Sequence, residues 1–278
     1  METADFEHLR VSTEAEGRVV VLEFDHGKAN EMGAAVLSEF ERLRDRLMVD
    51  GQAVAMITFS RRSSKRGTPI FVAGANVTER RDWSQDQILQ HVRWQRSVLA
   101  SLRAAPVFHI GVVAGVALGW GTEYLLVCDY RIACDGAVFG LPETGLGIIP
   151  GAGGTSDLRA HIGLAHTLRL GMTGERIDGA EAMRIGLVQE TSGSLEDGLM
   201  RARELAGLAA KRSPTAIAAF KDGVLKSVGT TGELRTEIEA IRYEHCVLTG
   251  EAGIGREHFS DLVKGGTAPW GPRRLMER

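Results

Sequence analysis

Two glutamates occupy surroundings that suit acid–base chemistry. Glu123 lies in the first turn of a predicted helix among apolar residues, and Glu143 follows a short apolar run that ends in Pro142. An acid in an apolar stretch is costly to bury unless it is paired or functional. Burial would raise its pKa and suit it to general acid–base catalysis. The alternative is a surface charge at a helix terminus, which the helix dipole favours.

Two glycine-rich turns precede these acids in the sequence. Residues 71–76, which include Gly74, and residues 115–121 each stand between a predicted strand and a predicted helix. Small residues there let the backbone approach a ligand closely, and the free N–H groups of such turns bind anions and oxyanions. Two such turns on neighbouring strands could each supply one N–H to a single oxygen. The alternative is tight packing of helices on the sheet.

A third glycine-rich segment, residues 149–155, resembles a phosphate-binding loop only superficially. It lacks the GK[ST] ending of a P-loop, and no GxGxxG opens a βαβ unit. We interpret the segment as close packing beside the loop of Glu143. The sequence also contains no HExxH, no Cys/His cluster and no GxSxG, so neither a metal site nor a serine nucleophile is predicted.

The predicted elements alternate between strand and helix. Asn30 is predicted to cap the first helix, which Gly51 ends, and Ser84 to cap the second. Residues 115–121 are predicted to lead into a helix that ends near Asp129. Strands are predicted within residues 7–24, at 53–59, at 107–113, at 130–133 and, in a mainly helical region after residue 151, at 187–190. This alternation predicts a parallel sheet covered by helices.

Composition narrows the class of protein. The 278 residues are 44% hydrophobic and carry a net charge of −3, which gives no global electrostatic case for nucleic acid or an anionic membrane. Three cysteines without CxxC spacing fit a reducing compartment. Residues 1–5 show no signal pattern, and no apolar run of about 18 residues exists. We therefore predict a cytoplasmic protein without a membrane span.

Several ordered motifs resemble those of the crotonase (enoyl-CoA hydratase/isomerase) superfamily. The resemblance covers nearly the whole chain. The matching segments are residues 71–76 (like F-x-A-G-A-D), 115–123 (like G-x-A-x-G-G-G-x-E), 128–133, 139–154 (like F-x-x-P-E-x-x-x-G-x-x-P-G-x-G-G), 170–176, 182–188 and the helix position of Lys221.

The resemblance implies an α/β fold with a crotonase-like ββα spiral core and a helical C-terminal trimerisation region. We expect the core, with the CoA and acyl site, to span residues 1–200 and the helical region to span 201–278. Family members are usually trimers or hexamers, so a homotrimer or a dimer of trimers is expected. An apolar stripe in residues 231–249 suits an interface, although a core stripe would look the same.

The resemblance also implies a reaction. The backbone N–H groups of Ala75 and Trp120 would form an oxyanion hole for a thioester carbonyl. Glu123 and Glu143 would hold and activate one water, which favours an enoyl-CoA hydratase, since isomerases of the family tend to keep one such acid. No cofactor is expected, because coenzyme A is part of the acyl-CoA substrate. The further expected substrate or CoA contacts are Ala73, Gly74, Gly119, Lys65 and Lys264, with Arg66 as another candidate cation.

This sequence departs from the family pattern in three places. Trp120 stands where glycine is usual, so its indole either shapes the acyl pocket or packs against a neighbouring helix. Asn76 replaces an aspartate, which we expect to cost a structural contact. The C-terminus lacks the common K-R-x-P pattern. Rival functions are an isomerase, a decarboxylase or a thioester hydrolase on the same fold, and an RNA-binding or scaffold protein supported only by the basic residues 61–66.

Overall fold

The structure is a computed structural model that describes residues 6–276. Within that range the strands, numbered in chain order, are β1 Leu9–Glu14, β2 Val19–Phe24, β3 Ala55–Phe59, β4 Ile70–Val72, β5 Phe108–Val113, β6 Val116–Leu118, β7 Tyr130–Cys134, β8 Val138–Gly140, β9 Ile177–Asp178 and β10 Glu190–Ser192. The helices are α1 Ala34–Val49, α2 Gln85–Arg103, α3 Trp120–Leu125, α4 Leu158–Thr173, α5 Gly179–Ile185, α6 Leu195–Ala210, α7 Pro214–Ser227, α8 Gly232–Leu248, α9 Glu251–Glu257 and α10 Phe259–Val263.

Two sheets form the core. The larger has the order β1-β2-β3-β5-β7-β10 and is parallel except for β1, which pairs antiparallel with β2. The smaller has the order β4-β6-β8-β9, with β4, β6 and β8 parallel. The predicted parallel sheet with helical cover is confirmed. The smaller sheet was not predicted, because its strands are only two or three residues long, and β4 and β6 overlap the glycine-rich turns.

Burial explains why the central strands are continuous apolar runs. Every residue of β3 is buried, as expected for a parallel strand covered on both faces. The predicted stripe on α1 is also buried, at Val36, Phe40, Leu43 and Leu47. An aromatic cluster joins α1 to the smaller sheet and α3; its rings are Phe24, Phe40, Phe71, Trp120 and Tyr124.

Some predicted boundaries were wrong. Asn30 does not cap α1, whose N-cap is Gly33; instead it is buried with a positive φ of 54°. Its side chain accepts from the His26 N–H and donates to the Phe71 carbonyl, so it fastens the loop before α1 to the end of β4. Ser84 does cap α2, in a full capping box with the side chain of Gln87.

Helix α1 ends at Val49 with Asp50 as its C-cap, so Gly51 directly follows the cap, in agreement with its predicted role as the stop of this helix. The ends of two other elements differ from prediction. Helix α3 ends at Leu125, well before Asp129, because the chain must turn to enter β7. The last strand of the larger sheet is Glu190–Ser192 and overlaps the predicted 187–190 only at its first residue.

The C-terminal region is helical. Helix α6 runs across the predicted boundary at residue 200, and α7 packs against α8. Helix α8 has no buried residue, and Leu234, Ile241 and Leu248 of the stripe are 43%, 39% and 85% exposed, so the stripe is not a core stripe within this chain. The buried Arg273 binds the carbonyl groups of Leu47, Asp50 and Ala53, which ties the C-terminal segment to the end of α1. The division at residue 200 and the trimer remain predictions.

Between residues 6 and 276, no helix combines the length and apolar character that a membrane crossing requires. The N-terminal residues 1–5, on which the absence of a signal pattern was judged, lie outside the described residues.

Candidate active site

Three parallel strands of the smaller sheet end at one edge, and the candidate residues follow them. The strands β4, β6 and β8 end at Val72, Leu118 and Gly140. Neighbouring pairs are Val72 opposite Ala117 and Leu118 opposite Gly140. The carboxyl ends of adjacent parallel strands meet at the same edge of a sheet, which is where α/β proteins place ligands. The sheet therefore brings the two glycine turns and the Glu143 segment together.

The two glycine turns touch each other. A Cβ on Gly121 would collide with the Val72 carbonyl oxygen, and a Cβ on Gly74 would lie 3.6 Å from the carbonyl oxygen of Leu118. Gly74 has a φ of +130° and Gly119 has a φ of +53°, conformations that residues with a side chain rarely adopt. Glycine is therefore needed at these positions for the turns to pack this closely, and the close packing accounts for the motif spacing.

The two predicted oxyanion-hole donors are free of acceptors. Met32 donates to the Gly74 carbonyl and accepts from the Asn76 N–H, which leaves the intervening Ala75 N–H facing the other way. Trp120 is the first residue of α3, where a helix leaves its N–H groups without an intrahelical partner. Neither N–H donates a hydrogen bond to any residue of the 6–276 range.

Glu123 is buried and held by backbone donors. Its side chain lies in the first turn of α3, and the residue is 2% exposed. One carboxylate oxygen accepts from the N–H of Ala152 at 2.7 Å and of Gly154 at 3.0 Å. The pKa of Glu123 is raised to about 7: burial is the largest cause, the two N–H donors act in the opposite direction, and the nearby charge of Glu143 also raises the pKa.

Glu143 has fewer partners. It opens a short 3₁₀ helix, Glu143–Leu146, and is 9% exposed. Its Oε1 packs against Gly119, where an added Cβ would lie 2.7 Å away. Its Oε2 is buried and has no hydrogen-bond partner among the described residues. Burial raises the pKa of Glu143. The charge of Glu143 is one of the influences that raise the pKa of Glu123, so the two carboxyl groups lie close enough to interact.

The glycine-rich segment 149–155 binds the carboxylate of Glu123 through backbone N–H groups. Its Ala152 and Gly154 N–H groups point at Glu123, and the Thr155 hydroxyl closes the turn by donating to the Pro150 carbonyl at 2.7 Å. The interpretation as a packing segment therefore missed two residues that hold the site. The rule that free N–H groups in glycine-rich turns bind anions, already applied to the other two turns, would have found them.

The indole of Trp120 lies in the core. It stacks on Tyr124 at 5.5 Å between ring centroids and tilts against Phe40 at 5.9 Å, and the residue is 2% exposed. The geometry favours packing over a direct role in the acyl pocket. Asn76 accepts from the Glu79 N–H at 3.2 Å, so a local hydrogen bond is present at this position.

The other candidate residues divide by location. Ala73 is exposed, Gly74 is half-buried and Gly119 is buried. All three lie at the edge of the smaller sheet where the glutamates lie. Lys65, Arg66 and Lys264 are exposed. Their side chains form no salt bridge within the described residues, so they are available there as cations. No group of three or more metal-binding side chains occurs between residues 6 and 276.

Comparison with known proteins identifies the family. The profile of the family "Enoyl-CoA hydratase/isomerase" matches residues 14–262. The chain is 31% identical over 241 residues to the short-chain-enoyl-CoA hydratase of Clostridium acetobutylicum, covering 86% of this chain and 90% of that protein. It is 37% identical over 235 residues to human enoyl-CoA hydratase domain-containing protein 2, covering 84% and 79%.

Solved structures agree with the sequence relatives. The crystal structure of an enoyl-CoA hydratase from Bacillus anthracis superposes with a TM-score of 0.86 at 28% identity, over 95% of this chain and 99% of that one. A second structure, from Geobacillus kaustophilus, gives a TM-score of 0.84 at 25% identity, over 95% and 96%. The crotonase-like α/β fold is thereby confirmed, and the chain belongs to the enoyl-CoA hydratase/isomerase (crotonase) superfamily.

Proposed function

We propose that this protein is an enoyl-CoA hydratase, a lyase that adds water reversibly to the 2,3 double bond of a 2-enoyl-CoA thioester. The observation that carries the proposal is the pair of buried carboxyl groups, Glu123 and Glu143, at the sheet edge where the Ala75 and Trp120 N–H groups have no acceptor among the described residues. Hydratase names among the relatives support the same reaction.

The oxyanion hole would activate the substrate. The N–H groups of Ala75 and Trp120 would donate to the thioester oxygen, and negative charge develops on that oxygen when a nucleophile adds at C3. Preorganised donors of this kind are worth about 3–4 kcal/mol each in comparable enzymes. Binding of the CoA portion would position the thioester carbonyl in the oxyanion hole.

The glutamate pair would handle the protons. One carboxylate takes a proton from the bound water as its oxygen attacks C3, and a proton is delivered to C2. Glu123, whose pKa is raised to about 7, can both accept and donate a proton at physiological pH, and burial also raises the pKa of Glu143. We assign the proton transfers to the pair.

The rival reactions fit the geometry less well. An isomerase, decarboxylase or hydrolase could work with one acid, which would leave the second as a buried carboxyl with an unpaired oxygen and a desolvation cost of several kcal/mol. An RNA-binding role loses part of its support, because Arg61 pairs with Glu196 and Arg62 pairs with Asp25 within the chain.

The remaining assignments follow from the same proposal. Ala73, Gly74 and Gly119 would line the thioester site, and Lys65 or Lys264 would contact the phosphates of coenzyme A. The reaction needs no separate cofactor. A homotrimer or dimer of trimers would cover apolar side chains such as Phe220 on α7, which is 75% exposed, and Tyr243 on α8. A cytoplasmic location remains a prediction.

The direct test is a hydration assay. Crotonyl-CoA and longer 2-enoyl-CoAs are supplied, and loss of the conjugated thioester absorbance is followed. We expect turnover with the wild type, and losses of at least about 10²-fold in Glu123→Gln and in Glu143→Gln, the scale of general acid–base groups. Circular dichroism and thermal unfolding verify that both variants fold. Full activity in either folded variant would refute the two-glutamate mechanism.

A further inference from the structure

The loop that holds Glu123 is itself held by helix α2. The Arg96 Nε–H donates to the Gly151 carbonyl at 3.1 Å. Four residues earlier, Val92 packs so close to Gly151 that an added Cβ there would lie 3.0 Å from its methyl group. Seven residues after Arg96, Arg103 forms an ion pair with Asp157 at 3.1 Å. Spacings of four and seven place all three α2 residues on one helix face, directed at this loop.

Gly151 is the residue immediately before the first Glu123 donor. The Gly151 carbonyl belongs to the same peptide unit as the Ala152 N–H, and a planar peptide bond points its C=O and N–H in opposite directions. Fixing the carbonyl on Arg96 therefore fixes the direction of the N–H that binds Glu123 at 2.7 Å. One peptide unit thus connects an exposed arginine to a buried carboxylate.

We propose that Arg96 is a positioning residue for Glu123: it orients the Gly151–Ala152 peptide toward the carboxylate and adds a positive charge beside the glutamate pair. The inference rests on the proposed role of Glu123 in hydration. Arg96 does not touch the substrate in this account. It acts through the loop and through its charge.

The electrostatic part has a definite direction. Of the influences on Glu123, burial is the largest and raises its pKa, the two N–H donors lower it, Glu143 raises it, and the Arg96 charge lowers it. Helix α3 carries no other charged residue, and Asp157, at the end of the loop, is paired with Arg103. Loss of the Arg96 charge should therefore raise the pKa of Glu123.

Three variants test the proposal. Arg96→Met removes the charge and the donor, whereas Arg96→Lys keeps the charge. Arg93→Met removes the same charge from an exposed residue three positions earlier on α2 that forms no ion pair within the described residues. Titration is followed by ¹³C NMR of protein labelled at the glutamate carboxyl carbons, with the Glu123 signal assigned by its loss in Glu123→Gln.

We expect Arg96→Met to raise the Glu123 titration point by about 0.5 pH unit, the effect of one partly screened charge, and to lower kcat about tenfold with KM little changed. The limb of the pH–rate profile that reports Glu123 should move to higher pH by a similar amount. Arg96→Lys should keep the wild-type titration point and recover part of kcat. Arg93→Met should leave titration and kcat unchanged.

Two results would overturn the proposal: an unchanged Glu123 titration point in Arg96→Met, or an equal displacement in Arg93→Met. The NMR titration uses no substrate, so it decides the role of Arg96 even if the wild type fails to hydrate enoyl-CoA. That failure would refute the proposed function, whereas the linkage between Arg96 and Glu123 would still be decided by the titration.

Discussion

The surroundings of Glu123 and Glu143 differ in a way that bears on chemistry. Glu123 sits on a helix and receives two backbone N–H groups from a separate loop. Glu143 lies at the start of a 3₁₀ helix, packs against Gly119, and has an oxygen without a partner among the described residues. The fold thus supplies fixed donors to one acid and leaves the other with hydrogen-bonding capacity for a water or substrate.

The site disfavours the charged form of both acids. Burial raises the pKa of both, and the charge of Glu143 also raises the pKa of Glu123. The N–H donors offset part of that cost for Glu123. The neighbourhood of Glu123 is therefore a preorganised anion site, whereas that of Glu143 depends on what binds beside it.

The largest expected effect comes from removing both acids. If the two carboxyl groups activate one water, the double variant Glu123→Gln/Glu143→Gln should be about as slow as the slower single variant, because groups that act as a unit are strongly non-additive. Steady-state hydration kinetics of the two single variants and the double variant test this. Losses that multiply would mean that the acids act independently.

The glycines beside each acid provide the next comparison. An added methyl on Gly119 would lie 2.7 Å from Glu143, and one on Gly154 would lie 3.2 Å from Glu123. We expect Gly119→Ala and Gly154→Ala each to lower kcat about 10- to 100-fold, as ångström-scale displacement of catalytic groups does.

Gly119→Ala should also cost about 1–2 kcal/mol of stability, because its φ is +53°. Gly145→Ala is the matched control, since its added methyl would meet nothing within 4 Å. Activity in the Gly145 variant should equal that of the wild type. If Gly119→Ala and Gly154→Ala behaved like this control, the packing of the two carboxyl groups would not matter for catalysis.

The pH dependence of stability tests the raised pKa of Glu123. The pKa of Glu123 is raised from 4.5 to about 7, so the folded protein binds this proton more tightly than the unfolded chain. The fold therefore loses stability as pH rises through that interval. Glu123→Gln removes the loss, so its unfolding free energy relative to wild type should grow by about 2–3 kcal/mol between pH 4.5 and 8.

Urea unfolding at several pH values measures this difference. Glu143→Gln should give a change of the same sign. A difference between Glu123→Gln and wild type that stayed constant across the pH range would contradict a raised pKa for Glu123.

The smallest expected effect concerns Trp120. Its indole is stacked on Tyr124 and Phe40 rather than placed at an exposed surface. Trp120→Phe should keep most of that stacking and leave the preference among short and long 2-enoyl-CoAs unchanged, with a stability loss of about 1–2 kcal/mol. Relative kcat/KM values across chain lengths measure the effect. A changed profile in the folded variant would assign the indole to the acyl pocket.

Much of the fold could be predicted because the signals are local and periodic. The apolar stripe of α1 and the cap of α2 at Ser84 depend on residues within one or two turns. The strands of the smaller sheet could not be predicted from periodicity, since three residues carry no pattern. Asn30 was misassigned because its partners, His26 and Phe71, meet it only in the folded chain.

The candidate site also has a part that could be predicted from the sequence and a part that could not. The resemblance to the motifs of the family predicted that Glu123, Glu143 and the two turns form one site. The Ala152 and Gly154 donors, and the arginine behind them, depend on a contact between a loop and a helix more than fifty residues apart, at Arg96 and Gly151. No short-range pattern encodes such a contact.

The most direct test of the central claim uses labelled water. Purified protein is incubated with crotonyl-CoA in D₂O enriched in H₂¹⁸O, and the product is analysed by mass spectrometry and NMR. The account predicts a 3-hydroxyacyl-CoA with ¹⁸O at C3 and one deuterium at C2, and no such product from Glu123→Gln. Deuterium incorporation without ¹⁸O, as double-bond migration would give, would contradict the proposal that the glutamate pair activates water.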